Sequence, residues 1–145
     1  MTEFSSSSLS IDAPLDEVAA VLSDITSYPS WSSSIKSVEV LTQDDSGRAS
    51  TAKLAIDAGP LKDRVVLEYD WSVAPAKISF AMLDADLLTA MEGAYILSAT
   101  DAETTDVTYE LHVDVSMPIP SIMRKNAEKA TIETALKQLK THIES

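Results

Sequence analysis

The 145-residue sequence contains no cysteine, three glycines and two histidines, and it has no apolar run near the length of a membrane-spanning helix, about 20 residues. Without cysteine, disulfides, thiolate metal sites and cysteine nucleophiles are excluded. Three scattered glycines form neither a phosphate-binding loop nor a dinucleotide-binding motif. Two isolated histidines give no recognisable transition-metal site. We therefore predict a protein that uses no metal and no cofactor.

Cationic residues are scarce before the C-terminal segment. The net charge is −12; 20 acidic and 6 basic residues precede Ser121, whereas 3 acidic and 5 basic residues follow from there. An acidic body repels phosphate backbones, so nucleic acid is not an expected partner. The N-terminus lacks the basic and hydrophobic blocks of a secretory signal, and we expect a cytoplasmic monomer or weak dimer without integral membrane association. The basic C-terminal residues either form a solvated helix face or contact an anionic ligand or membrane headgroup.

Three segments place their large apolar residues on one parity, with no charged residue there. These residues are Val65, Leu67, Tyr69, Trp71 and Val73 in the first segment, Ile78, Phe80 and Met82 in the second, and Val107, Tyr109, Leu111, Val113 and Val115 in the third. A period of two with one apolar face is typical of half-buried antiparallel strands. The sequence thus predicts a sheet whose inner face is covered, either by the protein's own side chains or by a bound molecule.

The remaining elements are predicted from turn residues and helical spacing. A strand over 3–11 precedes a short helix that is capped by Asp12, has Pro14 in its first turn and ends near Asp24. Residues 26–34 form a second short helix or an irregular turn. Six strands follow, near residues 35–43, 48–57, 63–74, 77–84, 88–100 and 105–116. Residues 121–144 contain neither glycine nor proline and form one long helix, so that 1–145 is one domain.

The long helix differs between its two halves. Its second half carries an apolar stripe made of Ile132, Ala135, Leu136, Leu139 and Ile143. Its first half presents Met123, Ala127, Ala130 and Thr134 on another side. Because small helix residues then face large strand residues, we expect a void over the first half of the helix. The alternative is that the aromatic rings simply fill the interior.

The order of these elements and the local sequence resemble a known superfamily. The segment from Ser10 to Val18 (SIDAPLDEV), Leu22-Ser23-Asp24, Tyr28-Pro29-Ser30-Trp31 and the segment from Ser37 to Leu41 are similar to the opening of the polyketide cyclase/dehydrase and lipid-transport family, a START-like (SRPBCC) group. The resemblance implies an α+β helix-grip fold. In that fold a seven-stranded antiparallel sheet curves around the long C-terminal helix, and two short helices lie between strands 1 and 2. It also implies a hydrophobic cavity between sheet and helix.

The resemblance, together with the inward parity, indicates a cofactor-free binding or carrier module for a hydrophobic small molecule such as a lipid, a quinone or a polyketide-like compound. Tyrosine hydroxyls would orient its oxygen atoms. The candidate cavity residues are Trp31, Tyr69, Trp71, Phe80, Met82, Met91, Tyr95, Tyr109, Leu111, Met123 and Ala127.

The alternative function is a polyketide cyclase or dehydratase acting in the same cavity. Aromatase/cyclase relatives place an arginine in the pocket, but here Arg64 lies on the outward parity and Arg48 adjoins a turn, so no catalytic residue is assigned. Arg124 and Glu128 extend the apolar stripe of the helix, and they either reach the cavity mouth or form an ion pair at its rim. His112 faces solvent by parity. A third possibility is an interaction protein that binds no ligand.

Overall fold

A computed structural model describes residues 4–58, 61–116 and 119–144, without the side chains of Ala58 and Leu61. Within them, seven antiparallel strands form one sheet in the order β1-β7-β6-β5-β4-β3-β2. The strands are β1 Ser5–Ile11, β2 Ile35–Gln43, β3 Ala49–Ala58, β4 Leu61–Asp70, β5 Lys77–Ala85, β6 Leu88–Asp101 and β7 Thr104–Val115. The helices are α1 Leu15–Ser23, α2 Tyr28–Trp31, preceded by a 3-10 turn at Ile25–Ser27, and α3 Ser121–Glu144.

The predicted helix-grip architecture is confirmed. The parity rule holds along β7, where Val107, Tyr109, Leu111 and Val113 are buried and the residues between them are half-buried. The apolar stripe of α3 lies over the inner face of the sheet, and its buried members are Ile132, Ala135, Leu136 and Leu139. No described helix combines the length and the apolar character needed to cross a bilayer.

Strand β4 ends earlier than predicted, at Asp70 instead of residue 74. The carboxylate of Asp70 accepts a hydrogen bond from the backbone N–H of Ser72 (2.9 Å), which turns the chain out of the sheet. Val73, assigned to the inward parity, is consequently exposed. Trp71 stays buried, and its indole Nε1 donates to the carbonyl oxygen of Ala49 (2.7 Å).

The predicted cap of α1 is also wrong. Pro14 occupies the N-cap position, and no side chain makes a capping hydrogen bond. The backbone N–H of Asp12 instead donates to the carboxylate of Glu144 (2.8 Å), which joins the start of α1 to the end of α3. The two residues of this contact are 132 positions apart in the sequence, so local spacing does not reveal it.

Gly93 permits a close approach inside the sheet. It pairs with Phe80 of β5 and Leu111 of β7 on the inner face. A Cβ atom at this position would lie 2.5 Å from the carbonyl oxygen of Glu110 and 2.9 Å from the Phe80 ring. The ring therefore packs directly over the glycine backbone.

We expect Gly93→Ala to destabilise the protein by about 1–3 kcal/mol, because the added methyl group must displace a backbone carbonyl as well as a packed ring. Urea unfolding followed by circular dichroism measures the change. Gly47→Ala is unsuitable as a control because Gly47 has a φ of 84°. Ala102→Ser, which lies in an exposed turn, is the control. A Gly93→Ala variant as stable as Ala102→Ser would contradict the close approach.

Candidate functional site

A small cavity lies between the sheet and the middle of α3. Its free space for the centres of water-sized molecules is about 50 Å³. That is room for a few water molecules, whereas pockets for drug-sized ligands measure about 300–1,000 Å³. The described lining residues are Tyr28, Ser32, Ser34, Ile35, Leu54, Ile56, Leu67, Tyr69, Ile78, Phe80, Met91, Tyr95, Tyr109, Thr131 and Ala135.

The lining has two chemical features. All four tyrosines of the chain are in it, and together with two serines and a threonine they provide seven hydroxyl groups. None of the described lining residues carries a formal charge at neutral pH. The surface is therefore apolar with a set of neutral hydrogen-bonding groups. Burying an ion in it would be costly, since no opposite charge compensates the lost hydration.

The aromatic rings of the cavity pack against one another. The Tyr95 and Tyr109 rings stack with their centroids 4.2 Å apart. Tyr69 lies between Phe80 (6.0 Å) and Trp71 (5.8 Å). Each ring is thus held in place by a neighbour, which gives the hydroxyl groups defined positions.

Tyr28 enters the cavity from the other side. The 3-10 turn and α2 carry its side chain over the sheet, and its hydroxyl donates to the carbonyl oxygen of Leu22 (2.5 Å). Its ring meets Trp31 edge to face with the centroids 5.1 Å apart. The hydroxyl of Thr131 on α3 likewise donates to a backbone carbonyl, that of Ala127 (2.9 Å). These two hydroxyl protons are therefore already engaged.

Burial raises the pKa of all four phenols. Desolvation is the largest cause for Tyr28, Tyr69, Tyr95 and Tyr109, and for Tyr28, Tyr69 and Tyr95 the neighbouring phenols raise the pKa further. Each phenol therefore remains protonated beyond the ordinary value of 10.0. At neutral pH the cavity presents hydroxyl groups, and not phenolates, to whatever enters it.

The structure brings together five of the residues proposed from the sequence: Tyr69, Phe80, Met91, Tyr95 and Tyr109. Six others lie elsewhere. Trp31 packs against the rings of Tyr28 and His142, and Trp71 lies beyond the end of β4. Met123 is 60% exposed. Met82, Leu111 and Ala127 are buried or half-buried and are not among the described lining residues.

Ten of the described lining residues were not proposed from the sequence, among them those of α2, β3 and the centre of α3. Leu54 and Ile56 follow the parity rule along β3, so their inward orientation had a signal in the sequence. Tyr28 had a weaker one, because a large ring among small polar residues needs a packing partner. The void expected over Met123 and Ala127 occurs instead at Thr131 and Ala135, two turns further along the helix.

The buried carboxylate of Glu128 explains this shift. It is 1% exposed and accepts hydrogen bonds from the backbone N–H of Val113 (2.6 Å) and the hydroxyl of Ser5 (2.8 Å). Arg124 pairs with it at 3.2 Å. These contacts hold the first half of α3 against β1 and β7. Of the two alternatives left open by the sequence, the structure has the ion pair; Glu128 is buried beside the sheet, and Arg124 is 19% exposed.

His112 belongs to the same cluster, although strand parity assigned it to solvent. Its side chain is 16% exposed, and its Nδ1 atom lies 3.4 Å from Nη1 of Arg124 and 3.8 Å from the carboxylate of Glu128. The ring of Phe4 meets the imidazole edge on at 6.3 Å. Strand parity failed here because it takes no account of the α3 side chains Arg124 and Glu128, which lie next to the imidazole.

The strand order, the helix on the inner face and the cavity between them define the helix-grip class of α+β folds. The chain belongs to the polyketide cyclase/dehydrase and lipid transport family, whose model matches residues 1–144. None of the curated proteins matches the sequence significantly.

Solved structures with low sequence identity share this fold. A START superfamily protein from Mycobacterium smegmatis has a TM-score of 0.91 at 23% identity, covering 97% of each chain. A protein from Thermus thermophilus has a TM-score of 0.81 at 20% identity and also covers 97% of each chain. An aromatase/cyclase from a Streptomyces species has a TM-score of 0.78 at 18% identity, covering 99% of this chain and 94% of its own.

Proposed function

We propose that this protein binds a neutral, mainly apolar small molecule that carries at least one hydrogen-bonding oxygen atom. The observation that supports the proposal is that all four tyrosines of the chain line one cavity whose described lining holds no charge. Lipid, quinone and polyketide-like molecules have this combination of properties. The family to which the chain belongs is described by polyketide and lipid chemistry.

Affinity in such a site comes mostly from apolar burial. Each square ångström of apolar surface removed from water contributes roughly 25 cal/mol. The aliphatic side chains of Ile35, Leu54, Leu67 and Ile78 and the ring of Phe80 supply that surface. The hydroxyl groups then favour ligands whose oxygen atoms meet them, because an unpaired buried hydroxyl costs free energy.

The ligand must enlarge the cavity when it enters. The half-buried lining residues Ser34, Ile35, Ile56, Met91 and Thr131 mark the side nearest solvent. Met91 has an unbranched side chain that can adopt other rotamers, so it can move aside for ligands of different shapes. We place the cavity mouth at these five residues.

Three probes of similar size test the proposal: naphthalene, acetylnaphthalene and naphthoate. We expect acetylnaphthalene to bind most tightly. Naphthoate should bind at least about tenfold more weakly, since its carboxylate must leave water for an uncharged site. Tyr109→Phe should weaken acetylnaphthalene about two- to tenfold, which corresponds to one neutral hydrogen bond, and leave naphthalene unchanged. Isothermal titration calorimetry measures all three affinities.

Thr108→Val, in the same strand but on the opposite face, is the matched control. Equal affinities for acetylnaphthalene and naphthoate would contradict an uncharged site. Unchanged affinities in Tyr109→Phe would place the site elsewhere. Native mass spectrometry of freshly purified protein complements the titration, because a co-purifying molecule can be extracted and identified. Conversion of an extracted molecule by the protein would support the cyclase or dehydratase alternative.

A further inference from the structure

One end of the molecule exposes apolar side chains that the core does not use. Ile122 and Met123, in the first turn of α3, are 67% and 60% exposed, and Ile119 just before the helix is 40% exposed. Leu87, in the turn between β5 and β6, is 63% exposed. Exposed apolar residues that occur singly need no explanation, but a group of them marks an interaction site.

These residues belong to the same end of the fold. Leu88 pairs with Val115 at the end of β7, and the chain leads from there to the first residue of α3, Ser121. The turn that carries Leu87 is held in place, because the carboxylate of Asp63 accepts hydrogen bonds from the backbone N–H groups of Leu87 (2.9 Å) and Leu88 (2.8 Å). Leu87 is therefore presented outward by a fixed turn.

The charge next to the α3 part of this apolar group is positive, whereas Leu87 lies beside exposed Asp84 and Asp86, the latter paired with Arg64 (3.6 Å). Lys125 and Lys129 are exposed, and they follow Ile122 at positions i+3 and i+7, along one stripe of the helix. From Ser121 to Ile132 the sequence holds one carboxylate, Glu128, which is buried against Arg124. Elsewhere the chain is strongly acidic. The start of α3 thus combines outward apolar side chains with exposed cations, whereas the sequence before Ser121 is acidic.

We propose that this docking face, formed by Leu87, Ile119, Ile122, Met123, Lys125 and Lys129, binds the surface of a phospholipid bilayer that contains anionic lipid. Apolar side chains enter the boundary between headgroups and acyl chains, and lysines beside them meet the lipid phosphates. Asp86 beside Leu87 is paired with Arg64, and acidic residues further away than a Debye length, about 8–10 Å, are screened, so the acidic body does not prevent contact at this end. The acidic residues of the other faces are repelled by anionic lipid, so they orient the protein with the docking face towards the bilayer.

A second copy of the chain fits this face less well. A two-fold symmetric contact brings the same patch of both copies together, so Lys125 and Lys129 would face their own counterparts. Anionic headgroups supply the opposite charge.

The position of the docking face relates it to the proposed ligand site. Met91 follows Leu87 along the same hairpin, and Thr131 follows Met123 along α3; both are half-buried cavity residues. Contact with a bilayer would therefore place the cavity mouth near the lipid, and an apolar ligand could pass without crossing water. This second step depends on the proposed function, whereas docking does not.

Vesicle flotation tests the docking face. We expect the protein to float with vesicles of phosphatidylcholine and phosphatidylglycerol, and less with phosphatidylcholine alone. The double variant Ile122→Ser, Met123→Ser should bind at least about tenfold more weakly, and Lys125→Glu, Lys129→Glu should lose the preference for anionic lipid. The control is Leu41→Ser, Val73→Ser, which removes two exposed apolar residues outside the face and should float like the natural sequence.

Failure to float with either vesicle would overturn docking, as would an equal loss in the Leu41→Ser, Val73→Ser control. Self-association that is lost in Ile122→Ser, Met123→Ser, without vesicle binding, would assign the face to a second copy. Acetylnaphthalene binding is measured in the same variants. Flotation without binding of this probe supports docking and contradicts the ligand site. Binding of the probe without flotation supports the ligand site and contradicts docking.

Discussion

Ultraviolet titration of the native protein should show no tyrosinate absorbance near pH 10, and the absorbance should instead appear together with unfolding at higher pH. All four tyrosines line the cavity, and burial raises the pKa of each phenol above the ordinary value of 10.0. Below pH 10 the phenols are protonated in the folded and unfolded states alike. Above it only the unfolded chain loses protons, so stability falls as the pH rises.

The expected effect is large. Each phenol that keeps its proton in the folded state lowers the free energy of unfolding by about 1.4 kcal/mol per pH unit above its unfolded pKa. Four such groups give about 5 kcal/mol per pH unit, which is comparable to the whole stability of many small domains. Tyr69→Phe should reduce this slope by about a quarter. A reversible rise in absorbance near pH 10 without loss of the circular dichroism signal would contradict the burial of the tyrosines.

Replacing Glu128 with alanine should lower the free energy of unfolding by about 3–5 kcal/mol. The substitution removes a buried carboxylate and leaves Arg124, the N–H of Val113 and the hydroxyl of Ser5 without their acceptor. Because those contacts join α3 to β1 and β7, hydrogen exchange should also become faster in the first half of the helix. Urea unfolding of the variant measures the loss of stability.

Glu133→Ala is the matched control, since it makes the same substitution at an exposed position of the same helix. It should change stability by no more than about 0.5 kcal/mol. Replacing Arg124 and Glu128 together with leucine should restore much of the loss, because no buried charge is then left alone. Equal effects of Glu128→Ala and Glu133→Ala would show that the ion pair does not hold the helix.

Strand parity and helical periodicity were sufficient to predict the sheet and α3, because both depend on short-range spacing. The predicted bounds of β2 and α3, 35–43 and 121–144, match the structure. Trp71 shows the limit of the same rule. Its residue type and parity are those of a cavity wall, but its indole N–H is satisfied by the carbonyl of Ala49 on a neighbouring strand, which parity does not encode.

The position of the cavity along α3 could not be predicted from the helix alone. Small residues in the first half, Ala127 among them, indicated a void there. The pairing of Glu128 with groups of β1 and β7 instead brings that half onto the sheet. The gap is left at Thr131 and Ala135, where Tyr28 also contributes from α2. The cytoplasmic location, the monomeric or weakly dimeric state and the absence of a cofactor stay predictions.

The narrow interior has a consequence for how tightly any guest is held. With only about 50 Å³ of free space, the resting conformation does not accommodate a molecule of naphthalene size, and recognition must draw on a rarer, expanded member of the ensemble. If that form makes up about 1% of the population, the observed dissociation constant is about a hundredfold weaker than the intrinsic one. Anything that favours expansion therefore raises apparent affinity without altering a single wall residue.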